Sequence, residues 1–215
     1  MRKWTWAVVL LLSSAALAEG IDGLGRISVG GGFRWVPNWW FADHAAALGT
    51  PVTQGLSGGP AADVSFGYGV NANFELSIDL LAGYESIALA LPDGGRDEYT
   101  SAAYGAQLGG RLVGNNVFAK GLMPYLTAQA GPWVSNISSH LTPVPERLLL
   151  AFSVGGGLTY RFMERYGITL EAKYMNARSA VPGISGINVG GVWFSAMFTI
   201  FFPPAPKRDL DVPGF

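Results

Sequence analysis

Cysteine is absent from all 215 residues. That excludes disulfides as a stabilising device, and it removes thiolate metal ligands and thiol nucleophiles with them. Histidine is nearly absent: His44 and His140 are the two in the chain, a poor start for an imidazole metal site or a histidine-based catalytic triad. Charge is scarce, at 13% of residues against about 25% in ordinary soluble domains. The 14 Lys and Arg nearly balance the 15 Asp and Glu, so there is no basic excess to hold nucleic acid. Long apolar runs are missing as well. GVWFSAMFTIFF, at residues 191–202, stops at Pro203-Pro204, well short of the roughly 20 residues a membrane-crossing helix needs.

What is present begins with a leader. Met1-Arg2-Lys3 is basic, residues 4–12 are apolar, and small residues follow to Ala16-Leu17-Ala18. This is the pattern of a secretory signal peptide over residues 1–18, with the mature chain beginning at Glu19. The chain is therefore expected to be exported. An exported, charge-poor chain that is 49% hydrophobic and holds 30 glycines needs a way to satisfy its backbone in an apolar solvent. A closed β-barrel is one of the two structures that do so, the other being the helix.

Period-2 alternation supports the barrel. In residues 191–202, Val192, Phe194, Ala196, Phe198, Ile200 and Phe202 form an unbroken apolar file. Trp193, Ser195, Met197, Thr199 and Phe201 form the mixed one. The pattern recurs in seven earlier segments, near residues 26–35, 62–70, 74–85, 104–112, 125–131, 150–162 and 168–175. In each, any charges fall on one file, since successive side chains of a strand point to opposite faces. The expected fold is all-β: an eight-stranded antiparallel up-and-down transmembrane barrel over residues 19–202, followed by a periplasmic Pro-rich tail over 203–215. The connections fit that topology. Long links are expected at 36–60, 86–98, 135–146 and 176–186, with a moderate one at 114–122 and tight turns at 71–73 and 163–165. Long loops on one side and short turns on the other are the habit of outer-membrane barrels. Aromatics fall into two bands, Trp35, Tyr84, Tyr104 and Tyr174 toward the long loops, and Tyr68, Phe74, Tyr160, Phe162 and Phe202 toward the short turns. Such bands mark membrane interfaces.

The polar file is expected to face the lumen. It collects Arg26, Arg34, Asp63, Glu75, Asp79, Glu85, Arg111, Gln129, Arg161, Glu171 and Lys173. Eight strands leave an interior that side chains just fill, and charges buried there must pair. Arg111 is expected beside Glu75 or Asp79. In the first long link, Trp39, Trp40 and Phe41 precede the small-residue run Ala45-Ala46-Ala47, which makes them candidates for contact with the outer leaflet or a partner. Catalytic and metal sites are not expected. His44 and His140 stand alone in expected loops, and Ser139 beside His140 points away from it if the segment is extended. The glycine triplets at 30–32 and 155–157 lack the Lys-Ser/Thr of a phosphate loop and suit a strongly curved wall instead.

Three further stretches resemble one family. MPYLTAQAG at 123–131 looks like the Pro-Tyr-Leu strand common in the small Gram-negative outer-membrane barrels, GGGLTYRF at 155–162 like their Gly-rich sixth strand and GITLEAKYM at 167–175 like their seventh. That group includes the OmpA transmembrane domain, OmpX/Ail and OmpW. The likeness covers residues 24–202. It implies residence in the outer membrane, contact with outer-membrane lipid, and recognition of the last strand, 191–202, by the barrel-assembly machinery. Family members often end at the terminal aromatic, whereas here the tail follows, so the signal is internal. The role expected on this basis is structural or surface-interacting and non-enzymatic, with no cofactor. A narrow OmpW-like channel for small hydrophobic compounds is the alternative, and a lipid-modifying barrel enzyme a remote one.

Overall fold

The structure is a computed structural model, and it describes residues 20–36, 52–54, 58–90, 94–115, 119–138, 144–178 and 188–202. Among these residues nine strands are formed: β1 (Gly25–Trp35), β2 (Val52–Gln54), β3 (Gly59–Gly69), β4 (Phe74–Ala90), β5 (Arg96–Val113), β6 (Leu122–Ser138), β7 (Val144–Arg161), β8 (Tyr166–Asn176) and β9 (Gly191–Phe202). All but β2 build the wall. Each pairs antiparallel with its sequence neighbour in the wall, and β1 pairs with β9 to close it. β2 adds three residues to the far end of β4, pairing Val52 with Leu89. The barrel is thus closed, eight-stranded and up-and-down, as the alternation leads one to expect.

The alternation also sets which way each residue points. Along β8 the burial pattern switches at every step, with Gly167, Thr169, Glu171, Lys173 and Met175 inside and Ile168, Leu170 and Tyr174 outside. The outward file is apolar along the middle of every wall strand. Val29, Phe66, Leu76, Ile78, Leu80, Leu108, Leu126, Val154, Leu170 and Phe198 are all exposed. A belt of that extent is not the surface of a monomeric protein in water. Trp35 and Tyr174 both face outward and register against Val192, and Tyr68 and Phe202 both register against Gly25. The two aromatic groups therefore occupy opposite ends of the wall.

Glycine is required where β1 meets β9. A Cβ on Gly32 would strike the main chain of Phe194, and one on Gly30 that of Ala196 and Met197. Only bare backbone lets the two terminal strands approach this closely while the wall curves.

Three connections differ from the expected ones. β4 runs on to Ala90 and β5 starts at Arg96, so the link expected at 86–98 is mostly strand. β6 and β7 likewise extend to Ser138 and from Val144 into the link expected at 135–146. The first long link contains β2. At the other end the short turn after β3 is as expected: Asn71 Oδ1 accepts from the main-chain amides of Asn73 and Phe74, both at 2.9 Å, a local asparagine device for tight turns.

Candidate functional site

The lumen is filled in three layers, and the inward file of β4, Glu75, Ser77, Asp79, Leu81, Gly83 and Glu85, runs through the second and third of them. The short-turn end is an apolar floor of Ile21, Leu24, Val113, Met123, Tyr125 and Phe201. Residues 20–24 reach across to form part of it. They are tied by main-chain bonds from Ile21 to Ala72 (3.2 Å), Gly23 to Gly69 (2.9 Å) and Gly69 to Leu24 (2.9 Å).

The middle layer is ionic. Arg26 donates to Glu75 at 2.8 Å and to Ser28 at 2.5 Å. Arg111 lies 3.3 Å from Asp79, 3.8 Å from Glu75 and 2.9 Å from Glu171. Its guanidinium stacks over the Tyr125 ring at 4.7 Å, and the Tyr125 hydroxyl donates to Glu171. Lys173 contacts Asp79, lies 2.5 Å from Glu171, and stands 3.7 Å from Asp63. Ser195 donates to Asp63 at 3.1 Å and Ser65 to Asp79 at 2.5 Å. Three cations thus share four carboxylates, all nearly inaccessible to solvent. Burying any one alone would be prohibitive, and the pairing with extra hydroxyl donors is what makes the set tolerable. Gln129 donates to Ser77 at 2.9 Å and so joins the layer from β6. A chain of hydroxyls runs around the wall from Ser28 to Thr199 (2.9 Å), Thr169 (2.7 Å) and Thr159 (2.9 Å).

The outer layer is apolar again. Leu81, Ala103, Trp133, Ala151, Met175, Ala177, Val189 and Trp193 form one buried cluster. Trp133 and Trp193 meet edge to face at 5.6 Å, a favoured aromatic geometry. Arg34 caps it, donating to the carbonyls of Val189 and Gly190, lying over Trp193 at 5.8 Å, and standing 3.9 Å from Glu85.

The expected lumen residues are therefore distributed unevenly. Arg26, Asp63, Glu75, Asp79, Arg111, Gln129, Glu171 and Lys173 come together in the middle, while Arg34 and Glu85 form a separate pair at the mouth on the long-loop side. Arg161 joins neither group, and its assignment to the network is corrected. It is the last residue of β7, and from there its guanidinium reaches the Glu164 carbonyl in the adjoining turn and lies 5.1 Å from the Phe201 ring. Trp39, Trp40, Phe41, His44 and His140 lie outside the described residues, as do residues 1–18 and 203–215. The apolar floor and the tryptophan pair are absent from the sequence-based expectation. Their signal was available: Tyr125, Trp133, Trp193 and Phe201 all stand in inward files, where parity places them among the charges.

No family model matches the chain, and a sequence search of curated proteins returns no relative. Solved structures do resemble it. The outer membrane protein OprG of Pseudomonas aeruginosa aligns with a TM-score of 0.50 at 13% identity, covering 87% of this chain and 99% of that one. Ail, the attachment invasion locus protein of Yersinia pestis, aligns at 0.48 and 13% over 84% of this chain and 99% of its own. Neisserial surface protein A aligns at 0.48 and 12%, over 84% and 96%. At this identity the likeness to OprG speaks for the fold alone. A closed wall of eight antiparallel strands is the fold this chain shares with the small outer-membrane barrels.

Proposed function

We propose that this chain is an integral outer-membrane barrel with a structural or surface-interaction role, that it is not an enzyme, and that its lumen is closed to solutes. The observation that carries the reading is the pairing of an apolar outer wall with an interior occupied from floor to mouth. In lipid the wall needs no further cover, and the closed ladder leaves no unsatisfied edge. Inside, the ionic layer leaves the carboxylates engaged with Arg26, Arg111 and Lys173 rather than lining an open path. The last strand, Gly191–Phe202, presents the alternating pattern and terminal aromatic that the assembly machinery of such barrels reads.

Two measurements test this. Refolded protein in a planar bilayer is expected to show no discrete conductance steps. Regular single-channel steps would instead favour the narrow-channel alternative. The topology is tested in intact cells with a protease site inserted either between Gly94 and Gly95 or between Ala72 and Asn73. Cleavage is expected at the first, in the link between the long strands β4 and β5, and not at the second, in the short turn. The reverse result would invert the barrel in its membrane.

A further inference from the structure

The two ends of the lumen are closed by different means. At the floor, residues 20–24 are held by main-chain hydrogen bonds and by an apolar cluster. At the outer mouth, residues 188–190 are held chiefly by side chains. Asn188 Oδ1 accepts from the Ala177 and Gly190 amides at 2.8 and 3.0 Å, and its Nδ2 donates to the Met175 carbonyl at 2.9 Å. The Gly190 carbonyl accepts from Arg34 Nε at 3.3 Å and Trp193 Nε1 at 2.9 Å, and Arg34 Nη2 donates to Val189. Val189 is buried in the tryptophan cluster. The main chain adds an isolated bridge between Arg178 and Asn188, and a bond from the Val189 amide to the Ala177 carbonyl at 2.9 Å.

This short segment lies beyond the last rung of the β8–β9 ladder, Met175 to Gly191. Gly191 has a φ of +78°, which glycine adopts at no steric cost and which turns the chain inward at that point. All eight wall pairings lie outside the segment, so lifting it breaks none of the barrel's ladder bonds. Meanwhile Glu85 stands 3.9 Å from Arg34 Nη1, too far for a hydrogen bond but near enough for Arg34 to reach by a small rotation. Arg34 Nη1 itself makes no hydrogen bond among the described residues. Arg34 therefore divides one guanidinium between two partners: Nε and Nη2 are on the carbonyls of the segment, and Nη1 faces the Glu85 carboxylate.

We propose that residues 188–190 are a strap across the outer mouth of the lumen and that Arg34 is its latch, with Glu85 receiving the guanidinium when the strap lifts. With Arg34 on the carbonyls the tryptophan compartment is shut. With Arg34 released from the carbonyls and held by Glu85 alone, Val189 is free to leave and Trp133, Trp193 and Met175 face the outer solution, while the buried cation is never left alone. The inference rests on the reading of the lumen as filled, and adds that one of its two closures is releasable.

The absence of native cysteine makes the test clean. Met175→Cys places a thiol in the outer compartment, and Met123→Cys places one in the floor. Each refolded protein, in detergent micelles, is treated with a sulfonated maleimide and its labelling rate followed. Adding Arg34→Gln is expected to speed labelling at Met175→Cys by about tenfold or more, as a local opening would, and to leave Met123→Cys unchanged. Adding Glu85→Gln, which removes the alternative partner, is expected to leave labelling at Met175→Cys no faster than in the parent. A rate within about twofold of the parent for Arg34→Gln, where a local opening should give far more, overturns the latch. Equal acceleration at both thiols also overturns it, since that is general loosening, and faster labelling with Glu85→Gln overturns the two-partner scheme. If Arg34→Gln fails to refold, Asn188→Ala takes its place. It unfastens the strap while leaving Arg34 and Glu85 intact, and the same outcomes apply. Bilayer conductance of the unmodified protein judges the filled-lumen reading separately: a conducting parent sinks that reading whatever the labelling shows.

Discussion

Arg111→Met is expected to cost about 3–5 kcal/mol of folding stability, the range for breaking a buried ion pair by removing one partner. Arg111 is fully buried and serves three carboxylates at once: Glu171 at 2.9 Å, Asp79 at 3.3 Å and Glu75 at 3.8 Å. Without it, Arg26 and Lys173 alone face four buried carboxylates, and Glu171 loses its guanidinium partner. Methionine keeps the apolar stem and its contact with the Tyr125 ring, so the loss reports the charge more than the packing. Arg111→Lys should recover only part, because an ammonium does not reproduce the planar fork that spans two strands. Pairing Arg111→Met with Asp79→Leu should cost less than the sum of the single losses, since the double variant removes one charge of each sign. The measurement is a urea titration of refolded protein, read by the gel-mobility difference between folded and heat-unfolded forms. Additive losses in the double variant, or a loss under about 1 kcal/mol for Arg111→Met, the range of exposed pairs, would mean that the ionic layer is not a coupled network.

Parity is why so much of this barrel was legible in the sequence. A strand has a period of two, so once one file is identified as outward, every residue on the strand is assigned. Glu75, Asp79, Arg111, Glu171 and Lys173 follow at once, and because β4 and β5 are neighbours joined through one hairpin register, so does the meeting of Arg111 with Glu75 and Asp79. Parity says nothing about height or about which strands face each other across the lumen. Trp133 on β6 and Trp193 on β9 are not sheet neighbours, and their contact depends on barrel curvature that no local pattern records. Arg161 failed for the opposite reason. Its parity is inward, but it sits at the strand's last residue, where the Glu164 carbonyl of the turn is within reach. The extra length of β5 was hidden because Arg96-Asp97-Glu98 places three charges in succession. A strand that projects beyond the apolar belt has no reason to alternate.

The same parity gives the sharpest test of the wall, because adjacent residues of β9 should respond oppositely to one charge. Ala196 is exposed on the outer face, registered against Gly31 of β1 and Leu170 of β8, in the middle of the apolar belt. A lysine there must leave its ammonium in hydrocarbon or bend toward an interface, and Arg or Lys at the midplane of a barrel wall costs about 2–4 kcal/mol. Ser195, one residue earlier, is buried and donates to Asp63 at 3.1 Å. A lysine there meets a layer in which four carboxylates outnumber three cations, so the added charge is opposed by Asp63 rather than by lipid. Its limit is space, since overpacking a filled interior costs about 1–3 kcal/mol. Ala196→Lys is therefore expected to depress refolding into lipid strongly, and Ser195→Lys more mildly. In detergent micelles, whose hydrocarbon layer deforms easily around a charge, the penalty at Ala196 should shrink while that at Ser195 stays. That contrast separates a lipid-facing position from a merely intolerant one. A water-soluble barrel makes the opposite forecast, because its exposed file would accept lysine freely. Equal losses at the two positions in lipid, or a larger loss at Ser195, would show that the wall of this barrel does not face a bilayer.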